Sequence, residues 1–524
     1  MDNYSKIKKQ LLRFLAFIFI VPLLYACARN PVTDNLDLNL ISESSEILIG
    51  QKQYVRQRQL EQGDYIVSPE LTKYVQEVGN KLVSVSDRQL PYEFVIVNSS
   101  DFNAWALPGG KIGINRGLLV RLECESELAA ILAHEIIHAA AGHSANSMSK
   151  ELLLNGARLA SSMMVKDQDK LDLTLGVLDL GGNLMLMKYS RSHELEADYY
   201  GMKYMVRAGF NPSGMLMVQE KMKEMAKEKN SNWLNIMFST HPPSEERVTK
   251  SQNFLTENEY QNKNYGCESY AKATQYLKQT AVAYEYYDKS LIAFSNGNIS
   301  QASKLLDKAI AVEPHESLFY ALQAQIHLKN GKKQRSVLAI DKAVNLNSEY
   351  WQHYLIRGSI QNKQGNTDNA INDFERSVAL LPTMKAYYSL GELSLANNQK
   401  DLAIDYFLEA WNPETELGIN AGKMVARLDL ENNPQNFLDA TVYLDDNKKV
   451  IIEIINNSEL SVKVLEVDLF KRKNWLVDEH YETYSLEEII KSGNVVELAT
   501  SVGPIKRKKL RKYSAQVTIA EIIE

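Results

Sequence analysis

This chain of 524 residues is short of three things. Cysteine occurs three times, which excludes a scaffold built on disulfides. Charge of one sign is not in large excess; the formal net charge is −6, which argues against a general nucleic-acid binder. Long apolar runs are missing apart from Phe14 to Ala28, which is too short for a comfortable membrane span. What remains is the composition of a folded soluble protein, 45% hydrophobic and 24% charged, with a length that suggests three or four domains.

The N-terminus differs from the rest. Lys6, Lys8, Lys9 and Arg13 precede the apolar run, so residues 1–26 read as a signal peptide. The run ends Leu24-Tyr25-Ala26-Cys27, which resembles a bacterial lipobox. Cys27 is then the expected acylated N-terminus, and residues 27–41 a tether to the membrane. Ala28 follows it rather than Asp. By resemblance to lipoproteins of Gram-negative bacteria, this favours the outer membrane facing the periplasm, with a soluble periplasmic form as the alternative. Cys124 and Cys267 can pair in that oxidising space or stay apart, since sequence does not supply their Cα separation.

Helices are expected from Ser42 to about Gln62, with Ser42 as cap, and from about Pro69 to Val85. Tyr92 to Val97, Ala104 to Leu107 and Lys111 to Ile114 read as strands, the last two around Pro108-Gly109-Gly110. One helix is expected from about Cys124 to Ser144. Two more, about Lys150 to Val165 and Leu171 to Tyr189, can serve as core or as a lid over a site.

After about Thr256 the chain repeats. Gly297, Gly331 and Gly365 each open an aligned segment at a spacing of 34, and a fourth segment, Asn398 to Ala403, follows with its alanine 33 after Ala370. Small residues recur at Ala309, Ala343, Ser377 and Ala410. This period is the signature of tetratricopeptide helix pairs, which stack and leave a groove for a peptide or protein. Residues 256–432 are assigned to it. Residues 433–524 read as a small β-sandwich, from runs such as Val450 to Ile455, Val462 to Leu469, Val495 to Leu498 and Tyr513 to Ile519. The basic run Lys506 to Lys512 reads as a solvated hairpin, with anionic lipid as the alternative contact.

The chemistry centres on His134-Glu-Ile-Ile-His138. Two His four apart on a helix share one face and can bind one zinc ion, and Glu135 can act as general base on its water. The flanking residues are apolar, so the helix should be buried, and buried charge needs pairing or a metal. A catalytic zinc takes a third protein ligand. Ala141 and Ser144 stand where a metzincin has Gly and His, which excludes that family. In a continuous helix His143 points half a turn away from the ligand face, so it reads as a structural residue or one behind the ligands, and not as a ligand. Glu194 and Asp198 are also four apart. One of these carboxylates can bind zinc while the other accepts the outer N–H of a ligand histidine. His193 is a rival that faces elsewhere.

Asn103 to Gly110, His134 to His138 and Glu194 to Asp198, in this order and spacing, resemble the gluzincin family of the CaaX prenyl proteases and the heat-shock protease HtpX. The resemblance covers about residues 42–255. It implies a zincin-type α+β fold, Glu194 rather than Glu196 as third ligand, and Asp198 as the carboxylate behind a ligand histidine. It also implies a cleft strand from Asn103 and Ala104 that pairs with extended substrate. Thr240-His-Pro-Pro-Ser-Glu-Glu-Arg247 matches a further family segment. His241 then either stabilises the tetrahedral intermediate or takes the fourth zinc position and holds the enzyme off, and Arg247 is a cleft arginine. With repeats and a signal sequence, the chain is most similar to the family's bacterial members that tend outer-membrane protein assembly. The lipid anchor and the C-terminal β region depart from their pattern.

The expectation is a multidomain, mainly α protein: a zinc-dependent endopeptidase with one zinc ion per chain. It would act on misassembled envelope proteins, engage assembly machinery through its repeats and the membrane through Cys27, and bind no nucleic acid. The alternative is a periplasmic chaperone or scaffold acting through the repeats alone.

Overall fold

The computed structural model describes residues 27–164, 189–226, 235–258, 260, 264–473 and 477–523. The signal-peptide reading falls outside these residues, as does most of the second lid helix. Among the described residues no helix is long and apolar enough to cross a membrane. The chain divides into two compact units, Met1–Tyr350 and Trp351–Glu524.

In the first unit, β1 (Cys27–Arg29) and β2 (Leu36–Leu38) pair as an antiparallel hairpin. The stretch expected as a tether is therefore docked. Asn30 Nδ2 donates to the Ala141 carbonyl at 2.9 Å, and the Leu40 N–H donates to Ser149 Oγ at 2.9 Å. Then come α1 (Glu43–Leu60), capped by Ser42, and α2 (Pro69–Val83), capped by Ser68 with Pro69 in its first turn. The strands β3 (Glu93–Val97), β4 (Ala104–Leu107) and β5 (Lys111–Asn115) form one sheet in the order β3-β5-β4. β3 runs parallel to β5, β4 runs antiparallel, and β4 is an edge. Gly109 makes the tight turn with φ 73°, and its α-carbon lies so close to Ile47 on α1 that a Cβ would sit 2.6 Å from that backbone.

The short α3 (Arg116–Arg121) leads to α4 (Glu125–Ala140), which is buried almost throughout. The expected single helix to Ser144 does not form. α4 stops at Ala140, Gly142 adopts φ 65°, and α5 (His143–Met164) starts afresh. Gly tolerates that left-handed turn without a Cβ penalty. The helices α6 (Arg191–Arg207), α7 (Ser213–Met225), α8 (Asn235–Thr240) and α9 (Glu245–Glu257) follow. Glycines let two of them close on α4. A Cβ on Gly201 would meet the His134 nitrogen at 3.4 Å, and one on Gly214 would meet the Ser126 carbonyl at 2.1 Å.

A disulfide joins Cys124 to Cys267, the first residue of α10 (Cys267–Ala273). Beside it, the first N–H groups of α4, which have no partner within the helix, donate to the carbonyls of Tyr265 and Gly266. Two helix pairs complete the unit: α11 (Gln275–Ser295) with α12 (Ile299–Val312), and α13 (Ser317–Lys329) with α14 (Lys333–Leu346). The division between units thus falls inside the repeats. Specific bonds explain it: Tyr270 OH donates to the Leu119 carbonyl at 2.7 Å, and Asn98 and Tyr284 both donate to Glu316.

The second unit holds α15 (Trp351–Lys363) with α16 (Thr367–Leu380), α17 (Met384–Ala396) with α18 (Lys400–Ala410), and α19 (Glu416–Asp429). The joints of all four pairs use one device. Gly297, Gly331 and Gly365 have φ of 78°, 71° and 79°, and Asn398 has φ 58°. The small residues expected at the crossings, Ala309, Ala343, Ser377 and Ala410, are all buried.

Beyond these lie two antiparallel three-stranded sheets. One has the order β10 (Val495–Ala499), β7 (Val450–Asn456), β6 (Leu438–Leu444); the other has β11 (Tyr513–Ile523), β8 (Ser461–Arg472), β9 (Asp478–Ile490). Ile452 and Ile454 from the first share a core with Val464, Val467 and Val517 from the second. Part of the basic run forms a one-turn helix, α20 (Arg507–Leu510), ahead of β11. The strands β6 and β9 were not among those read from the sequence.

Candidate metal centre

Buried side chains from α4, α6 and the turn after α8 meet at one point. His134, His138, Glu194 and His241 each turn a ligand atom toward it, and these atoms all lie within 4.8 Å of one another. His134 Nε2 is 3.0 Å from His138 Nε2 and 3.2 Å from His241 Nδ1. Glu194 Oε1 is 3.1 Å from His241 Nδ1 and 3.5 Å from His138 Nε2, and its Oε2 is 3.6 Å from His134 Nε2. Bonds of about 2.0 Å to a tetrahedral ion place donors ~3.3 Å apart. These separations fit that demand. Two imidazole nitrogens facing at 3.0 Å also need a proton or a cation between them, so the residues suit one metal ion.

The outer atoms are engaged as well. His134 Nδ1 lies 3.0 Å from Asp198 Oδ1. Arg247 donates to both Asp198 oxygens, at 2.7 and 2.8 Å, and its third nitrogen lies 2.9 Å from Glu194 Oε2. Ser244 caps α9 and so sets the first turn that carries Arg247. Glu135 follows His134 on α4, with Oε1 3.7 Å from His241 Nε2. Its Oε2 is buried and has no hydrogen-bond partner in the protein.

Electrostatics follow from this packing. Burial works against the charged form of Glu194, but the charge of His241 and hydrogen bonds from all three imidazoles hold its carboxyl well below the usual range. Burial opposes Asp198 ionisation too, and Arg247 outweighs it. Burial also opposes a charged His134, yet Asp198 and Glu194 push that imidazole up to about 9 without a metal present. Burial holds His138 well below its ordinary value, and it raises the Glu135 carboxyl.

The residues picked out in the sequence are therefore brought together, with four exceptions. Asn103 and Ala104 lie at the start of β4, buried, and reach the cluster only indirectly. The link is Tyr189, whose OH donates to the Ala106 carbonyl at 3.4 Å while its ring stacks on His138 at 3.8 Å. His193 stays outside the donor set and stacks on His143 at 4.2 Å. Cys27 opens β1 and takes no part. The break at Gly142 overturns the argument that placed His143 half a turn away, because the two histidines are on different helices. Its Nδ1 lies 2.9 Å from His138 Nδ1. Tyr189 was missed, since no spacing marks a lone aromatic just before a helix cap.

Comparison with known proteins places this cluster. The model of Peptidase family M48 matches residues 69–255, and a Tetratricopeptide repeat model matches residues 287–354 and 357–411. The beta-barrel assembly-enhancing protease of Yersinia pestis is 30% identical over 211 residues, which are 38% of this chain and 42% of that one. That of Escherichia coli (strain K12) is 26% identical over 339 residues, 56% of this chain and 67% of that one. The mitochondrial metalloendopeptidase OMA1 of Schizosaccharomyces pombe is 30% identical over 248 residues, 45% of this chain and 69% of that one. The chain thus spans less than half the length of the Yersinia relative.

Proposed function

Because the chain belongs to peptidase family M48, we propose that it is a zinc-dependent endopeptidase of the bacterial cell envelope. The observation that carries this reading is the convergence of His134, His138, Glu194 and His241, whose ligand atoms all lie within 4.8 Å of one another, with Glu194 and His134 3.0 to 3.6 Å from their neighbours. Zinc, when bound, would supply a Lewis acid and lower the pKa of a water toward about 7. His134, His138 and Glu194 are the residues that hold it. Glu135 takes a proton from the attacking water and returns it to the leaving amine. Its raised carboxyl and its unpartnered oxygen support that role. Asp198 fixes the His134 ring, and Arg247 keeps both carboxylates in place.

His241 sits at the spacing of a fourth donor, so we read it as a switch that must withdraw before substrate enters. The alternative role, with Arg247 in oxyanion stabilisation, predicts the opposite effect of removing it. The edge strand β4, from Ala104 on, would pair with an extended substrate; Asn103, just before it, already donates its N–H to the Asp101 carbonyl and accepts from the Asn115 N–H. We assign residues 42–255 to a zincin-type domain, 256–432 to the repeats and 433–524 to a β-sandwich. The relatives' printed name and the repeats support misassembled outer-membrane proteins as substrates. Lipidation at Cys27 would hold the protein to the outer membrane.

The test is hydrolysis of an unfolded protein by the full chain. Glu135→Gln should keep one zinc per chain and lose at least ~10²-fold in rate. Proteolysis at the wild-type rate would sink the mechanism. His241→Ala should raise the rate, and a clear fall would assign the residue to catalysis. Substrates trapped on Glu135→Gln and identified by mass spectrometry would name the clientele.

A further inference from the structure

We propose that Glu196 and His143 form a relay that sets which nitrogen of His138 carries its proton, and so keeps Nε2 free for a metal. The inference rests on reading His138 as a ligand. His138 Nε2 faces the donor cluster, 3.0 Å from His134 Nε2. Its other nitrogen, Nδ1, lies 2.9 Å from Nδ1 of His143. At that distance one nitrogen donates and the other accepts. For Nε2 to offer a lone pair, the neutral His138 ring must hold its proton on Nδ1 and donate it to His143. His143 then accepts at Nδ1 and carries its own proton on Nε2.

His143 Nε2 lies 3.3 Å from Glu196 Oε2, an oxygen that can only accept when ionised. The carboxylate at the far end therefore selects the tautomer of both rings. The opposite tautomer of His143 would aim an N–H at His138 and drive the His138 proton onto Nε2, where it blocks the lone pair. The rings are also held flat. His143 is buried and stacks on His193 at 4.2 Å with an interplanar angle of 5°, and Tyr189 covers His138.

The backbone makes this contact possible. Five residues along one continuous helix turn ~500°, which would leave His143 about 140° away from His138. The left-handed Gly142 ends α4 and re-aims the chain, so His143 returns toward α4 from the next helix. On the other side, Glu196 comes from α6, two residues from Glu194. The relay is thus the counterpart for His138 of what Asp198 is for His134. Both act through a ligand, so His143 and Glu196 are positioning residues and not catalytic ones.

Zinc affinity of the full chain, measured by competition with a chromophoric chelator, tests this apart from turnover. His143→Phe keeps a ring for the stack and removes the acceptor, so affinity should fall about 10–100-fold. His143→Gln loses the ring but offers a carbonyl oxygen, and should stay within about threefold of wild type. A structural role predicts the reverse order, and that result would overturn the proposal. Glu196→Leu should weaken zinc alone and add nothing to His143→Phe, because it acts through the same ring; additive losses would overturn the relay. Should a variant fail to fold, ¹⁵N-histidine NMR of the zinc-loaded wild type decides: His138 protonated on Nδ1 and His143 on Nε2 supports the relay, and His143 protonated on Nδ1 ends it. His138→Ala separates the two levels. If it binds zinc like wild type, the ligand reading itself fails; if it loses zinc while His143→Phe does not, only the relay fails.

Discussion

The metal centre and the repeat helices bury opposite kinds of side chain. In α4 and α6 the buried positions include His134, Glu135, His138, Glu194 and Asp198, and all but Glu135 have a polar partner within 3.5 Å on another element. In the repeats, positions that recur every 33 or 34 residues hold Ala or Ser, and each answers to its neighbour in the next helix. A buried charge is tolerated only while its partners remain, so a change at the centre spreads through the network. A change in a repeat is felt where it is made.

The sharpest way to break this contrast is Arg247→Met. It would leave Asp198 and Glu194 buried without their cation, at a cost of about 3–5 kcal/mol. Urea midpoints of the metal-free protein would measure it. Adding Asp198→Asn should restore part of the loss, and strictly additive effects would contradict a network. The same ion pairs carry a pH signature. Burial opposes ionisation of Asp198 and Glu194, yet their cationic partners hold both below their unfolded values. Their contribution is complete only above the unfolded carboxylate values, from about pH 5 upward, and is lost progressively as pH falls from there through the lowered folded values. Wild-type protein should therefore lose stability steeply in that acid range, and Arg247→Met less steeply.

The repeats should answer to shape instead. Gly391 faces Phe407, and Gly358 faces Phe374 one period earlier. A Cβ on Gly391 would meet the Phe407 ring at 2.7 Å. Gly391→Ala should cost about 1–3 kcal/mol despite the better helix propensity of alanine. A gain in thermal midpoint would show that the ring can move aside. The smallest effect is expected at Asn398, the one left-handed repeat joint that is not glycine. Asn398→Gly should change stability by under about 1 kcal/mol, because relief of the left-handed backbone offsets the extra freedom of the unfolded chain.

What the sequence made legible follows the same division. Periodic features could be read directly: the recurrence of Gly297, Gly331 and Gly365, the His134/His138 pair, and Glu194 with Asp198. Each depends on neighbours a fixed number of residues away. The direction of His143, though not its exclusion from the ligand set, was misread because it turns on a single backbone angle at Gly142, which no spacing encodes. Tyr189 was missed because a ring stack leaves no pattern in the chain. β9 escaped because it is an edge strand with Asp, Glu and His on its open side, so its charges masked the alternation. The docking of β1 and β2 depends on Asn30 reaching Ala141, a contact across 111 residues.

The Cys124–Cys267 disulfide has a consequence for cooperativity. It lies where the carbonyls of Tyr265 and Gly266 accept from the first N–H groups of the helix that carries His134 and His138. Opening of α10 and α11 would uncap α4, so these helices should exchange their amide hydrogens with solvent as one foldon. Reduction of the bond should let α11 open at a lower free energy than α4. The oxidising state of its compartment would then decide whether repeats and metal centre melt together or one after the other.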